Sequence, residues 1–201
     1  MGTTESDDNV MQSILKAAES GSASGAGIPP VEQWNPDHCG QMDMVIRKDG
    51  TWWHEGTRIT RERLVKLFSR VLRKDEDGKI YLVTPHEKIE IEVEAAPFLA
   101  VRVDKVERDG ETVIVFTTNF DDSVALGEDH PLRIEIGEDG EPEPYVLVRG
   151  RLEALLTRPA FYELVNMAET ARDNAGRMVL SVTSQGQRFE LGEVDPGKVE
   201  E

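Results

Sequence analysis

Short alternating apolar runs separated by Asp-Gly pairs constrain this chain more than any other feature. Met42, Met44 and Ile46 alternate with polar neighbours ahead of Asp49-Gly50, and residues 51–54 form the expected returning strand. Asp-Gly between two such runs is a strong hairpin signal, because the tight turns that match strand twist need positive φ at their centre. The pattern recurs. Residues 99–106 and 112–119 flank Asp109-Gly110. Leu132, Ile134 and Ile136 lead to Asp139-Gly140, with one returning strand expected over 145–156.

Helical periods follow two of these hairpins. Leu64, Leu67, Phe68, Val71 and Leu72 recur at i, i+3, i+4, i+7 and i+8, which predicts a helix with one apolar face. Thr60 is the expected N-cap, Ile59 and Leu64 form a hydrophobic staple, and the turn at 75–78 ends the helix. A second helix is expected from Thr157-Arg158-Pro159 to about Arg172, with proline allowed in its first turn. Phe161, Leu164, Val165 and Ala168 give it a core face. After the first helix come Ile80 and Leu82, a turn at Pro85-His86-Glu87, and the strand of Ile89, Ile91 and Val93. After the second, Gly176 answers Gly78 and Phe189 answers Ile91, both at a separation of 98 residues (176 − 78, 189 − 91).

Hairpin, helix, hairpin is therefore written twice. The reading is an α+β protein made by internal duplication, with similar sheet-plus-helix units over 31–96 and 97–193. A tail is expected over 1–30, acidic and then rich in Gly, Ser and Ala, and another over 194–201. Within the first tail, Val10, Met11, Ile14, Leu15 and Ala18 fall at helical spacing, so a short partner-docking helix is the alternative there.

The net charge of −16 opposes long-range attraction to nucleic acid. Its distribution is uneven. Residues 58–74 carry seven cations and one acid, a net of +6, whereas 104–143 carry thirteen acids and three cations, a net of −10. No apolar run approaches the roughly 20 residues that cross a bilayer. The start of the chain, with Glu5, Asp7 and Asp8, does not read as a secretory signal. One cysteine, Cys39, allows no internal disulfide and suits a reducing cytoplasm. A cytoplasmic protein is expected.

No motif names a reaction. His38, Cys39, Asp43 and His54 match no structural zinc spacing and lack a second cysteine, so no metal is assigned. Gly21, Gly25 and Gly27 have no strand before them and form no phosphate loop. No catalytic residue and no cofactor are assigned.

Trp34-Asn35-Pro36 with Cys39-Gly40 and Asp43 is one part of a distinctive combination. The others are Asp49-Gly50, Trp53-His54-Glu55-Gly56, Ile59 with Arg61, Leu82-Val83-Thr84-Pro85 with Glu87-Lys88, Pro97-Phe98, and His130-Pro131 with Pro144-Tyr145. In these residues the chain resembles a bacterial family, domain-of-unknown-function family 1285, over about residues 31–192. The resemblance implies a duplicated α+β core whose C-terminal half looks like a pleckstrin-homology fold. It also implies a ligand site between the halves, for protein or nucleic acid, in a signal-transduction context.

The expectation is thus a non-enzymatic binding or adaptor protein. Its ligand residues are expected to be Trp53, His54, Arg58 and Arg61 from the first half, and Phe98, Tyr145, Arg149 and Arg151 from later segments. A protein partner or acidic ligand fits these aromatic and basic residues; nucleic acid is disfavoured by the net charge. The alternative is an enzyme using His54, Glu55 or His130 as acid–base groups, which requires them to converge.

Overall fold

Turn chemistry shapes both halves of the chain. The computed structural model describes residues 4–23, 27–172 and 175–193. Three of the Asp-Gly pairs close the same loop. Arg47 N donates to Thr51 O (2.9 Å), Asp75 N to Lys79 O (3.0 Å) and Gly137 N to Glu141 O (2.8 Å). In each, the aspartate carboxylate accepts the backbone N–H two residues on, from Thr51, Lys79 and Glu141. Glycine supplies the left-handed residue, with φ of 79°, 81° and 79°. Asp109-Gly110 differs: both residues have positive φ, 53° and 82°, the two-residue turn.

The chain divides into two compact units, Met1–Pro97 with Gly150–Leu152, and Phe98–Arg149 with Glu153–Glu201. The first holds a six-stranded sheet of β1 (His38–Ile46), β2 (Trp52–His54), β3 (Thr57–Arg58), β4 (Leu72–Lys74), β5 (Ile80–Val83) and β6 (Glu87–Val93). Their order is β3-β2-β1-β6-β5-β4, with β1 and β6 parallel. Alternation sends Met42, Met44, Ile46, Trp52, Leu82, Ile89 and Ile91 to a buried face. There Phe68 of α2 (Glu62–Ser69) meets Trp52 with ring centroids 6.2 Å apart.

Two expectations for this unit are corrected. Helix α2 ends at Ser69 rather than at residues 75–78, and its N-cap is Arg61, without a side-chain cap, rather than Thr60. Val71 and Leu72 satisfy a helical period and a strand equally well, and the sheet ladder takes them. Val83 N donates to Val71 O (2.9 Å), and Leu72, Arg73 and Lys74 pair with Leu82, Tyr81 and Ile80. The expected basic helix is therefore distributed over β3, α2 and β4. The tail expected over 1–30 is also corrected, because Thr4–Ala23 is helix α1. Its stripe of Ile14, Ala17 and Ala18 is buried and α1 packs on α2, so apolar burial offsets the ordering entropy. The tail expected over 194–201 lies outside the described residues.

The second unit carries β7 (Phe98–Arg108), β8 (Glu111–Thr118), β9 (Ser123–Ala125), β10 (Leu132–Ile136), β11 (Pro142–Arg149) and β12 (Leu152–Leu156). Their order is β10-β11-β12-β7-β8-β9, with β12 and β7 parallel. The single strand expected over 145–156 is two strands, broken at Gly150, where φ is 52°. Helix α3 (Arg158–Asn166) has proline in its first turn. It ends before the expected Arg172, because 169–172 joins a ladder as β13 (Glu169–Arg172). With β14 (Met178–Ser184) and β15 (Gln187–Glu193) this strand makes a separate three-stranded sheet.

The duplication is visible in the ladder register. Leu72↔Leu82 in the first unit corresponds to Thr170↔Leu180 in the second, both members displaced by 98 residues (170 − 72, 180 − 82). The repeat diverges afterwards. Ile91 pairs with Ile80, whereas Phe189 pairs with Val182 rather than Met178. In the first unit β6 returns beside β1; in the second, β7 takes the parallel place beside β12.

Candidate functional site

The expected site residues fall into distinct settings. In the first unit, the register Ile46↔Trp52 and Val45↔Trp53 sends adjacent tryptophans to opposite faces. Trp52 is buried; Trp53 is half-buried on the outer face. The Trp53 indole N–H donates to Thr51 Oγ1 (2.8 Å), and that hydroxyl donates to Asp49 Oδ1 (2.6 Å). The relay fixes the ring, and the Arg47 guanidinium lies 3.8 Å from its centroid. Arg58, exposed on the edge strand β3, is the cross-strand partner of Trp53. Arg61 is exposed at the start of α2.

His54 sits on the same strand, where its Nδ1 lies 2.9 Å from Asp43 O. A carbonyl only accepts, so Nδ1 carries the proton and Nε2 the lone pair. Glu55 opens the two-residue turn to β3 with φ of 48°. These placements bring Trp53, Arg58 and His54 together on one hairpin.

The remaining candidates hold partners of their own. Phe98 is fully buried, with Phe120 edge-on at 6.0 Å and the Arg149 guanidinium 4.8 Å from its centroid. Arg149 also donates to Asp122 Oδ2 (3.1 Å). The buried Tyr145 donates its hydroxyl to Glu143 (2.8 Å) under the Arg133 guanidinium. Burial and that hydrogen bond push the Tyr145 phenol well above its ordinary range. Arg151 is exposed and pairs with the exposed Glu76 at 3.0 Å. His130 donates from Nδ1 to Leu147 O (2.9 Å) and lines a cleft of about 350 Å³ with Glu128, Asp129 and Gln185. Neither His54 nor Glu55 lines it. Among the described residues, no group of three or more His, Cys, Asp and Glu side chains could hold a metal. No helix among them is long and apolar enough to cross a membrane.

Residue-level expectation missed two contributors. Arg47 was not singled out, although the hairpin register makes it the diagonal neighbour of Trp53, within reach of a long side chain. Arg73 is one of the seven cations of residues 58–74 and was not marked out among them, yet it is buried on β4. It donates to Val31 O (2.9 Å), to Trp34 O (2.6 Å) and to Asp75 Oδ1 (2.6 Å). Lys88 completes the cluster, 2.7 Å from Asp75 Oδ2 and 4.3 Å from the Tyr81 ring centroid.

This cluster makes the first unit acid-sensitive. Burial alone would raise the Asp75 carboxyl, but hydrogen bonds from Arg73 and Lys88 outweigh it and hold the group below its ordinary value. Asp49 is held low by its Thr51 hydrogen bonds and Glu90 by those from Lys79 and Gln41. A carboxyl whose folded pKa is depressed stabilises the fold above its unfolded pKa and loses that contribution as pH falls through the folded one. Stability to urea is therefore expected to be level from about pH 7 to about pH 5 and to decline below about pH 4. All three tryptophans, Trp34, Trp52 and Trp53, belong to the first unit, so their fluorescence follows it alone. Asp75→Asn should shrink the decline; an unchanged acid profile would remove Asp75 from the account.

The fold and this face together define a duplicated, sheet-rich α+β protein with a basic-aromatic hairpin on its first unit. The N-terminal family model, "Domain of unknown function (DUF1285), N-terminal domain", matches residues 29–96. "Protein of unknown function (DUF1285), C-terminal domain" matches residues 97–191. The chain belongs to the DUF1285 family. It is similar to the crystal structure of a DUF1285 family protein from Silicibacter pomeroyi DSS-3, at 43% identity and a TM-score of 0.77, over 84% of this chain and 89% of that one. A DUF1285 family protein from Shewanella baltica OS155 matches at 24% identity and a TM-score of 0.49, over 61% of this chain and 90% of that one. No curated protein matches the chain.

Proposed function

We propose that this is a non-enzymatic binding protein that takes an acidic segment of a partner protein on the β2–β3 hairpin of its first unit. The observation that carries the reading is the Arg47 guanidinium stacked 3.8 Å from the Trp53 centroid, with Arg58 as the facing cross-strand residue. A held aromatic surface bordered by guanidinium groups suits planar carboxylates, which arginine meets with two parallel hydrogen bonds. Trp53 supplies the apolar contact and Arg58 and Arg61 the charge, while His54, the next residue on β2, points to the opposite face and borders the site only at the hairpin's end. The net charge of −16 opposes long-range attraction of any polyanion, so recognition in this reading rests on short-range contacts at the hairpin, and the Arg–carboxylate geometry is what favours a peptide. An adaptor role in bacterial cytoplasmic signalling is the context this reading adopts.

The test is titration of the full chain with a glutamate-rich peptide and, separately, a single-stranded oligonucleotide of equal charge, followed by tryptophan fluorescence. Saturable peptide binding is expected, weakened at least about tenfold by Trp53→Ala and by Arg58→Ala and weakened by added salt. Peptide binding that both variants leave unchanged would sink the assignment, and tighter oligonucleotide binding would replace the partner class. The acid–base alternative has no comparable observation behind it, since the cleft that His130 lines includes neither His54 nor Glu55.

A further inference from the structure

Among the described residues, strand β10 is an edge of the second unit's six-stranded sheet, in a ladder with β11 and no other strand. Its ladder has a defined phase. Pro131 O accepts from Leu147 N (3.1 Å) and Gly137 N donates to Glu141 O (2.8 Å), both on the register that pairs Arg133 with Tyr145 and Glu135 with Glu143. Bonded and non-bonded pairs alternate in an antiparallel ladder. The odd positions of β10 therefore face β11, and Leu132, Ile134 and Ile136 turn their N–H and C=O groups outward. Strand β15 passes near β10 but shares no ladder with it.

Natural edges of this kind are often blunted by charged side chains, proline, a bulge or very short length. β10 has no lysine, proline or bulge; it is five residues long, and its charges, Arg133 and Glu135, lie on the face opposite its apolar residues, with Arg133 also held by Glu153 (2.5 Å). It reads Leu132-Arg133-Ile134-Glu135-Ile136, and Ile136 is 71% exposed, the largest exposure of any large apolar residue described. The run is self-complementary when reversed. An antiparallel copy centred on Ile134 sets Ile134 against the partner's Ile134, Leu132 against the partner's Ile136, and Arg133 against the partner's Glu135. The three apolar pairs share one face and the two opposite-charge pairs the other, because side chains alternate. The outward-facing residues are also the ones that such a two-fold pairing hydrogen-bonds. Backbone phase, apolar face and charge order agree on one register.

We propose that β10 is a self-recognition edge at which two copies of this chain pair antiparallel about a two-fold axis through Ile134. A five-residue strand buries less than a standard interface, so the dimer is weak and concentration-dependent. It is isologous and closes, which prevents further growth through the same edge.

Sedimentation of the full chain over about 1 µM to about 1 mM tests it, with far-UV circular dichroism as the folding control. A reversible monomer–dimer equilibrium is expected. Ile134→Pro should weaken it at least about tenfold, since proline removes an outward N–H and no bond to β11. Glu135→Arg should do likewise by setting arginine against arginine across the axis. A second measurement reads the register: in a Cys39→Ser background, Ile134→Cys should oxidise to a covalent dimer. Residues paired on the axis lie about 5.5 Å apart at Cα, within disulfide reach. A chain that sediments as a monomer throughout overturns the proposal and leaves the edge to a strand of another protein. A dimer that tolerates Ile134→Pro and forms no cross-link at position 134 overturns it as well.

Discussion

Arg73→Met is expected to destabilise the first unit by about 3 kcal/mol, a fall of roughly 10 °C in the thermal midpoint followed by tryptophan fluorescence. The side chain is 9% exposed and its partner Asp75 is 20% exposed. Asp75 is thus partly solvated and keeps Lys88, so the ion pair itself is the smaller part of the loss. The larger part comes from the Val31 and Trp34 carbonyls, which accept from Arg73 Nη1. Methionine replaces the aliphatic stem but donates nothing: the Trp34 carbonyl loses its side-chain donor, and the Val31 carbonyl keeps only the longer bond from Trp34 N (3.2 Å). These carbonyls hold the 3₁₀ turn Val31–Gln33 against β4, so that turn should loosen first. Arg73→Lys should recover only part of the stability, because one ammonium cannot replace a planar fork serving two carbonyls and a carboxylate. A midpoint within about 1 °C of the parent for Arg73→Met would show that the turn is held by its apolar contacts alone.

Arg73 also marks where the sequence stops being legible. Turn residues and apolar alternation located most strands, because Asp-Gly pairs act through local geometry that no tertiary contact has to supply. The Trp52-Trp53 pair was readable in the same way: strand alternation requires opposite faces, and one ring is buried while the other remains half-buried. Residues 71–74 were not readable. Val71 and Leu72 continue a helical stripe and also suit a strand, and only the partner strand β5, which forms a ladder with Leu72 and Arg73, decides between them. Once the segment becomes β4, Arg73 is carried into the interior beside three acceptors. Helix α1 shows the same limit from the other side. Composition argued against order, and the docking face on α2 that repays Ile14 and Ala18 exists only after folding. At the candidate site, alternation separates the two tryptophans, but the edge strand β3 that sets Arg58 beside Trp53 was not legible, because it exists only through its ladder with β2. The aromatic residues Phe98 and Tyr145 carried no mark distinguishing a contact surface from a core, and both are buried.

Ser184→Ala is the second large expected effect, about 2 kcal/mol in the second unit, seen as a fall of roughly 5 °C by circular dichroism. Ser184 is fully buried at the end of β14. Its hydroxyl donates to Leu126 O (2.7 Å) and accepts from Ile114 N (3.0 Å). Leu126 N meanwhile donates to Ile114 O (2.8 Å). The hydroxyl is therefore inserted where β8 and the chain leaving β9 would otherwise exchange a second backbone bond. It joins the three-stranded sheet to the six-stranded one within this unit. Alanine removes both roles, but their costs differ. Leu126 O keeps the Gln185 amide at 3.0 Å, whereas Ile114 N–H is left without an acceptor in a buried site. Hydrogen exchange separates these consequences. The Ile114 amide should exchange much faster in Ser184→Ala, while amides deep in the β7–β8 ladder change only by the global loss of stability. Gly127→Ala probes the supporting contact, since a Cβ there would lie 2.6 Å from Gln185 Nε2 and should loosen the amide without touching the hydroxyl. Unchanged protection at Ile114 in Ser184→Ala would mean that the ladder closes over the gap by direct pairing to Leu126, and the two sheets would then be joined without the hydroxyl, through apolar packing and the Gln185 N–H bond to Thr112 O (2.9 Å).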